Sequence, residues 1–229
     1  DYGPGHALDF DGVTDHVTIF DAPTLDITGS VTMESWVKLD GKEGKHDILV
    51  KGVEGNRSYS LSTETNSEGR SLFSVATSGN IDAESVTDFI LDSNTWYHVA
   101  GVIDVTEGTH ALYVNGELLN SVVVDGLQGS PLTANNDPLS IGQTSGQLGY
   151  FDGNLDEVRL WSAALTGADI AENYRKSLSG SESDLVGYWR FTAGAGEVAY
   201  DYSVHGNHGI LEGSSGGKVS LVLNTFDID

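Results

Sequence analysis

Residues Gly153 to Leu165, GNLDEVRLWSAAL, confine this chain to a small set of folds, because they read as a strand that passes through a turn into a helix. Val158 and Leu160 alternate with Arg159 and Trp161, the period of two of a half-buried strand. Leu155 is apolar but out of phase with that pair. The spacing therefore predicts a bulge near Asp156 or Glu157 that re-aims a side chain. The two acids themselves are read as pointing to opposite faces of the strand. In TGADIAENYRKSL, which follows, Thr166 caps a helix predicted over Ala168 to Leu178, with Asp169 as the return partner of a capping box. Ile170, Ala171, Tyr174 and Leu178 share one face of that helix.

The rest of the chain is strand-like. Ala7 to Phe20 reads as a first hairpin or strand pair around DGVTD, and Val31 to Leu39 alternates Val31, Met33, Val37 and Leu39 against Glu34, Trp36 and Lys38. Ile48 to Val53, Arg57 to Thr63, Arg70 to Thr77 and Ala83 to Ile90 continue a meander. Tyr97, Val99, Gly101 and Ile103 alternate with the apolar Trp96, Ala100 and Val102, as expected of a central strand. Asn115-Gly116 lies between two β-rich runs, the pattern of a type I′ hairpin turn. Leu139 to Ile141 is a short strand, and Leu185 to Phe191 is another. These elements add up to an all-β, two-sheet antiparallel sandwich with one short helix.

Four phrases occur in a fixed order: ALDFDGVTDHV, NTWYHVAGVID, GNLDEVRLWSAAL and LVGYWRFTAGAGEVAYDYSVHGNHGIL. Together they resemble the laminin G-like and pentraxin-like jelly-roll domains of the concanavalin A-like lectin/glucanase superfamily, over about Ala7 to Leu211. The resemblance implies a jelly roll across residues 1–212. Residues 213–229 are then a Gly/Ser linker, GSSGG, plus a final strand or the start of a next module. Because that superfamily spans lectins, adhesins and enzyme-attached modules, fold alone names no activity.

Composition narrows the function. The 229 residues suffice for one core, and the absence of cysteine excludes disulfides, thiolate metal sites and a cysteine nucleophile. The 34 acidic against 11 basic residues give a formal net charge of −23, which repels nucleic acid and anionic membranes. No apolar run approaches the roughly 20 residues that cross a bilayer, so membrane insertion is not expected. A chain that begins at Asp1 reads as a mature or excised piece of a larger exported protein, at the cell surface or outside the cell.

The chemistry expected lies in two acidic loops. Asp11 and Asp15 flank a tight turn, and Asp201 and Asn207 stand in a Gly-rich loop. Their hard oxygens suit calcium, which takes six to eight such ligands. Spacing alone leaves open the alternative that Asp11 bonds its own backbone in an Asp-Gly turn. The resemblance implies the metal reading, since these two phrases are similar to a pair that clasps a structural calcium. This chain departs from that pattern at Val204, where relatives often have glycine, and at Thr192, where they often have aspartate. The acidic run that holds ligand-binding calcium in pentraxins is replaced by Gln143 to Gln147. A ligand site is expected at Tyr150, Phe151 and Asp152, aromatics and a carboxylate suited to a sugar's face and hydroxyls. The paired carboxylates of glycosidases, G-x-S-x-G and H-E-x-x-H are all missing, so no enzyme is expected. The expectation is a non-catalytic, calcium-stabilised carbohydrate-binding or adhesion module with a glycan or a protein as partner. The alternative is a structural spacer or protein-interaction domain without a sugar site.

Overall fold

A computed structural model describes residues 5–41, 43–53, 55–69, 71–77, 83–87, 89–143, 149–192, 196–213 and 220–224. Its elements are β1 (Gly5–Asp11), β2 (His16–Ile19), β3 (Val31–Leu39), β4 (Gly44–Val53), β5 (Asn56–Thr65), β6 (Ser71–Thr77), β7 (Ala83–Val86), β8 (Trp96–Asp104), β9 (Thr109–Val114), β10 (Glu117–Val123), β11 (Leu139–Ile141), β12 (Asp152–Trp161), α1 (Gly167–Asn173), β13 (Leu185–Trp189), β14 (Val198–Ala199), β15 (Gly209–Glu212) and β16 (Ser220–Asn224). The first sheet runs β10-β9-β8-β3-β12-β1-β16, with β13 on the far half of β12. The second runs β14-β15-β2-β11-β4-β5-β6-β7. Every strand pairing is antiparallel, as a jelly-roll sandwich requires.

The core lies between the sheets. Leu8 and Phe10, Val31, Met33 and Val37, Val99 and Ile103, and Leu155, Val158 and Leu160 supply one wall. Val17 and Ile19, Leu49, Tyr59 and Leu61, Phe73 and Val75, and Leu139 and Ile141 supply the other. The bulge in β12 is where the phase of Leu155 placed it. The register with β3 shifts between Asp156 and Arg159, and Glu157 takes a φ of 50°. That extra residue lets Leu155 and the Val158–Leu160 pair face the same core. The Asn115-Gly116 turn likewise forms, with φ of 51° and 82°. The segment around residues 220–224 is a last strand, paired with β1 from Gly5↔Asn224 to Asp9↔Ser220.

One strand expectation is corrected. Ala7 to Phe20 is not a pair: β1 bonds to β12 and β16 in one sheet, while β2 bonds to β11 and β15 in the other. Alternation identified their buried faces but could not name their partners. The Gly12–Asp15 turn carries the chain from one sheet to the other.

The outer face of the first sheet is covered by α1 and the chain after it. The capping box forms: Thr166 Oγ1 accepts from the Asp169 N–H at 3.2 Å, and Asp169 Oδ2 accepts from the Thr166 N–H at 3.0 Å. Ile170, Tyr174 and Leu178 are buried, while Ala171 is exposed. The helix ends at Asn173, short of the expected Leu178, because side chains of the sheet take its last carbonyls. Arg159 donates to the carbonyls of Asn173 at 2.9 Å and Lys176 at 2.7 Å, and Trp36 Nε1 donates to that of Tyr174 at 3.2 Å. Trp36 is thereby buried under this segment, on the face away from the second sheet.

A buried cation shared between a helix end and the sheet should be far more costly to remove than an exposed cap. Arg159→Ala is expected to lower the unfolding free energy by about 3–5 kcal/mol, the range for breaking a buried ion pair. Thr166→Ala should lower it by about 1 kcal/mol. Urea titrations of the two variants check this, and equal losses would contradict the assigned roles.

Candidate functional site

The β1–β2 turn is built by Asp11. Its Oδ1 accepts the N–H groups of Val13, Thr14 and Asp15 at 2.8–2.9 Å, and its Oδ2 accepts the Thr14 hydroxyl at 3.1 Å. Burial pushes this carboxyl up, but the donors outweigh it and hold the group below its ordinary value. Asp15 is raised by burial, and then by Asp11 and Asp9. Asp9 is raised by burial and then by Asp40, with Asp152 adding to it.

The other loop is organised by Asp201. Its Oδ1 accepts the N–H of Tyr188 and of Ser203, both at 2.8 Å, and its Oδ2 accepts the Ser203 hydroxyl and the Asn207 N–H, both at 2.7 Å. Asn207 Oδ1 accepts the Thr24 hydroxyl at 3.2 Å, and its Nδ2 donates to the Val186 carbonyl at 2.9 Å.

The two loops lie at opposite ends of β15. Glu212 is registered with His16, beside Asp15, whereas Gly209, two residues after Asn207, is registered with Ile19. The first and last residues of β15 are roughly 10 Å apart. Asp201 and Asn207 thus meet each other, Asp11 and Asp15 meet each other, and the two pairs do not converge on one ion. The side-chain oxygens of Asp11, Asp201 and Asn207 already accept from protein donors. Among the described residues no group of three or more His, Asp or Glu side chains is arranged to hold a metal. A carboxylate saturated by N–H donors and one bound to calcium are indistinguishable in a sequence.

The expected ligand residues divide. Phe151 is fully buried in the core, edge-on to Phe10 at 5.8 Å and to His46 at 6.5 Å, and so offers no ring face to a ligand. This corrects its expected role; its place in a Gly-rich loop concealed that the chain dips inward there. Tyr150 and Asp152 remain half-buried at the rim, with Asp11 and Asp15. Gly12 N–H donates to the Phe151 carbonyl at 2.9 Å, and a Cβ on Gly12 would lie 2.7 Å from Asp152 Oδ1. Tyr150 packs edge-on to His16 at 6.1 Å, and its phenol is raised by burial and by Asp11. Residues 144–148, which include most of the Gln143 to Gln147 run, lie outside the described residues.

Asp156 and Glu157 do not point to opposite faces; the bulge draws both into one buried charge network. Glu157 Oε2 accepts from Arg159 Nη2 at 2.8 Å and from the Tyr188 hydroxyl, and Glu157 Oε1 lies 3.5 Å from Arg190 Nε. Glu34 accepts from Trp161 Nε1 at 2.6 Å and lies 3.2 Å from His98 Nε2. Burial holds His98 below its ordinary value against the pull of Glu34. Asp156 is pushed up to about 8, by burial first and then by Glu157. Apart from Arg190, which is partly exposed, these groups are buried beneath α1 and its following chain.

A shallow groove that the sequence reading did not single out lies beside β14 and the residues that follow it. Its floor is the apolar Leu8, Ala199 and Leu211, and Tyr200, Tyr202, Thr192 and Val198 form its sides. Tyr200 is 49% exposed and Tyr202 41%. Both rings are held in place. Tyr200 lies edge-on to His208 at 5.4 Å, and Arg190 stacks on Tyr202 at 5.5 Å. Thr192 Oγ1 and the Tyr202 hydroxyl are 3.1 Å apart. The signal was available in AYDYS. If Asp201 turns inward to bond the backbone, its two tyrosine neighbours turn outward.

The sequence matches the Laminin_G_3 family, concanavalin A-like lectin/glucanases superfamily, over residues 11–171. The chain belongs to this family. Among solved structures it is similar to a Bacteroides ovatus protein provisionally assigned to carbohydrate binding, at 23% identity and a TM-score of 0.73, covering 98% of this chain and 60% of that one. It thus spans less than two thirds of that relative. It is also similar to the heptameric SAP-like pentraxin of Limulus polyphemus, at 17% identity and a TM-score of 0.57, covering 73% of this chain and 81% of that one. A third is domain 4 of AbnA, an extracellular arabinanase of Geobacillus stearothermophilus solved with arabinotriose, at 18% identity and a TM-score of 0.56, covering 72% of this chain and 75% of that one. At these identities the likeness is one of fold. A search of curated protein sequences found no match.

Two outcomes test the assigned roles. Asp201→Asn replaces one of the two acceptor oxygens by an amide NH2 that faces donors, so it should cost about 1–3 kcal/mol, and the same amount with calcium as with chelator. A loss seen only with calcium would support a calcium held by Asp201. Asp156 keeps its proton to about pH 8 when folded, whereas its ordinary value is 3.8. Between those values the folded state holds the extra proton, so this residue makes stability fall as pH rises from about 4 to about 8. Asp156→Asn, which retains the Oδ1 acceptor for the Glu157 N–H, should flatten that fall in urea titrations at pH 5 and pH 8.

Proposed function

We propose that this domain is a non-catalytic carbohydrate-binding module that seats a sugar ring in the groove between Tyr200 and Tyr202. The observation that carries the reading is the pair of exposed, fixed tyrosine rings flanking a shallow, apolar-floored groove. Stacking a sugar's C–H face on a phenol ring needs an accessible ring and gains from one that is already immobilised. The hydroxyls of Tyr200, Tyr202 and Thr192 stand at the sides to meet sugar hydroxyls. Membership in a family of lectin-like and glucanase folds supports this choice of ligand, as does the arabinotriose held by the similar arabinanase domain. The reading includes no hydrolysis: of the adjacent acids, Glu157 is committed to Arg159, Arg190 and Tyr188, and Asp156 is buried and accepts the Glu157 N–H.

A net charge of −23 favours neutral over anionic glycans. As a binder of polymeric sugars the domain belongs outside the cell or on its surface, as one module of a larger exported protein. The rim of Asp11, Tyr150 and Asp152 is not needed for this binding.

A panel of neutral oligosaccharides, arabinotriose among them, tests the proposal by calorimetry. Tyr200→Ala and Tyr202→Ala should each weaken binding about tenfold, equivalent to about 1.4 kcal/mol, while Tyr150→Ala leaves it unchanged. Undiminished binding in both groove variants would move the site elsewhere, and no binding to any glycan would remove the function.

A further inference from the structure

Strand β10 is one edge of the first sheet, bonded among the described residues to β9 on one side only. Among the described residues thirteen large apolar side chains are exposed, and four of them fall in this seven-residue strand: Val123 at 79%, Leu118 at 54%, Val122 at 39% and Leu119 at 37%. The apolar residues lie on both faces. Val122 is opposite His110 and Val123 is opposite Thr109, so the two valines point to opposite sides.

Edges of sheets are commonly protected by brevity, charge or proline. The two edges of the second sheet follow this rule: β14 has two residues, and β7 has four, with Glu84 paired to Lys45 at 3.0 Å. By contrast β10, with sequence ELLNSVV, has no proline and a single charge, Glu117, at its start. A register shift between Leu118 and Asn120 is its one irregularity, and Asn120 to Val123 form regular ladder pairs beyond it.

We propose that β10 is a self-association edge, where two copies of this chain pair their β10 strands antiparallel and join their first sheets into one. A strand edge is self-complementary under a two-fold axis, since each copy offers the other the same N–H and carbonyl row. Charge selects a second copy over a basic partner. The chain carries −23, yet this strand has one carboxylate and would give a cationic partner almost nothing to pair with. Two chains of −23 repel one another at long range, and salt screens that repulsion over about 10 Å at 0.1 M. Association should therefore strengthen as sodium chloride is added, the opposite of binding to a basic partner.

Sedimentation equilibrium on the full chain, at about 1 to 200 µM protein and at 0.05 and 0.5 M sodium chloride, tests the inference. The expected result is a monomer–dimer equilibrium that is tighter at 0.5 M. Val123→Lys and Leu118→Lys, both at exposed positions, should each weaken the dimer at least tenfold with an unchanged melting temperature. Phe20→Lys, which removes an apolar side chain of similar exposure (67%) elsewhere, should leave it intact. A parent chain that stays monomeric under all conditions overturns the proposal. So does a dimer that survives both lysine variants, or one that Phe20→Lys abolishes.

Discussion

Arg159 ties its own strand, its neighbour β3 and the chain that ends α1 to one buried guanidinium. Its guanidinium meets Glu157 in its own strand, lies 3.9 Å from Glu34 on β3, and takes the carbonyls that end α1. It also stacks on Tyr188 of β13 at 5.5 Å. Buried charge is favourable only where every partner is in place. The bulge at Glu157, the length of the helix and the seating of β13 are consequently coupled: moving one strands a charge belonging to another. An apolar side chain could fill the space, but it could not stop a helix at a chosen carbonyl.

The sandwich was legible in the chain to the extent that faces were. Alternation told which side of β3 and β12 met the core, two apolar faces marked β8 as central, and the phase error at Leu155 located the bulge. Thr166 and Asp169 marked the helix start, because capping is local chemistry. Its end was not legible, since it depends on Arg159 and Trp36, distant in sequence from the carbonyls they take. Pairing partners were equally hidden: β1 and β2 alternate as a hairpin would, yet they separate into different sheets.

The candidate site was harder to read. Acids were weighed as ligands because acids bind cations, but Asp11 and Asp201 spend their oxygens on the turns that contain them. Phe151 and Tyr150 are neighbours in sequence and opposite in fate, one in the core and one at the rim. Tyr200 and Tyr202 escaped notice because the loop between β14 and β15 was read for its oxygens. Their exposure follows from the inward turn of Asp201, which leaves its two neighbours facing outward.

The pairing of the first strand with the last has a mechanical meaning. Gly5 and Asn224 are directly opposite one another at the same end of the β1–β16 ladder. A pull that separates these two points loads the end pair first and opens the ladder one rung at a time, like a zipper. Had the strands been parallel, the same pull would have sheared all the rungs together. The fold thus resists heat with its whole core but meets traction at its ends with a single pair of residues.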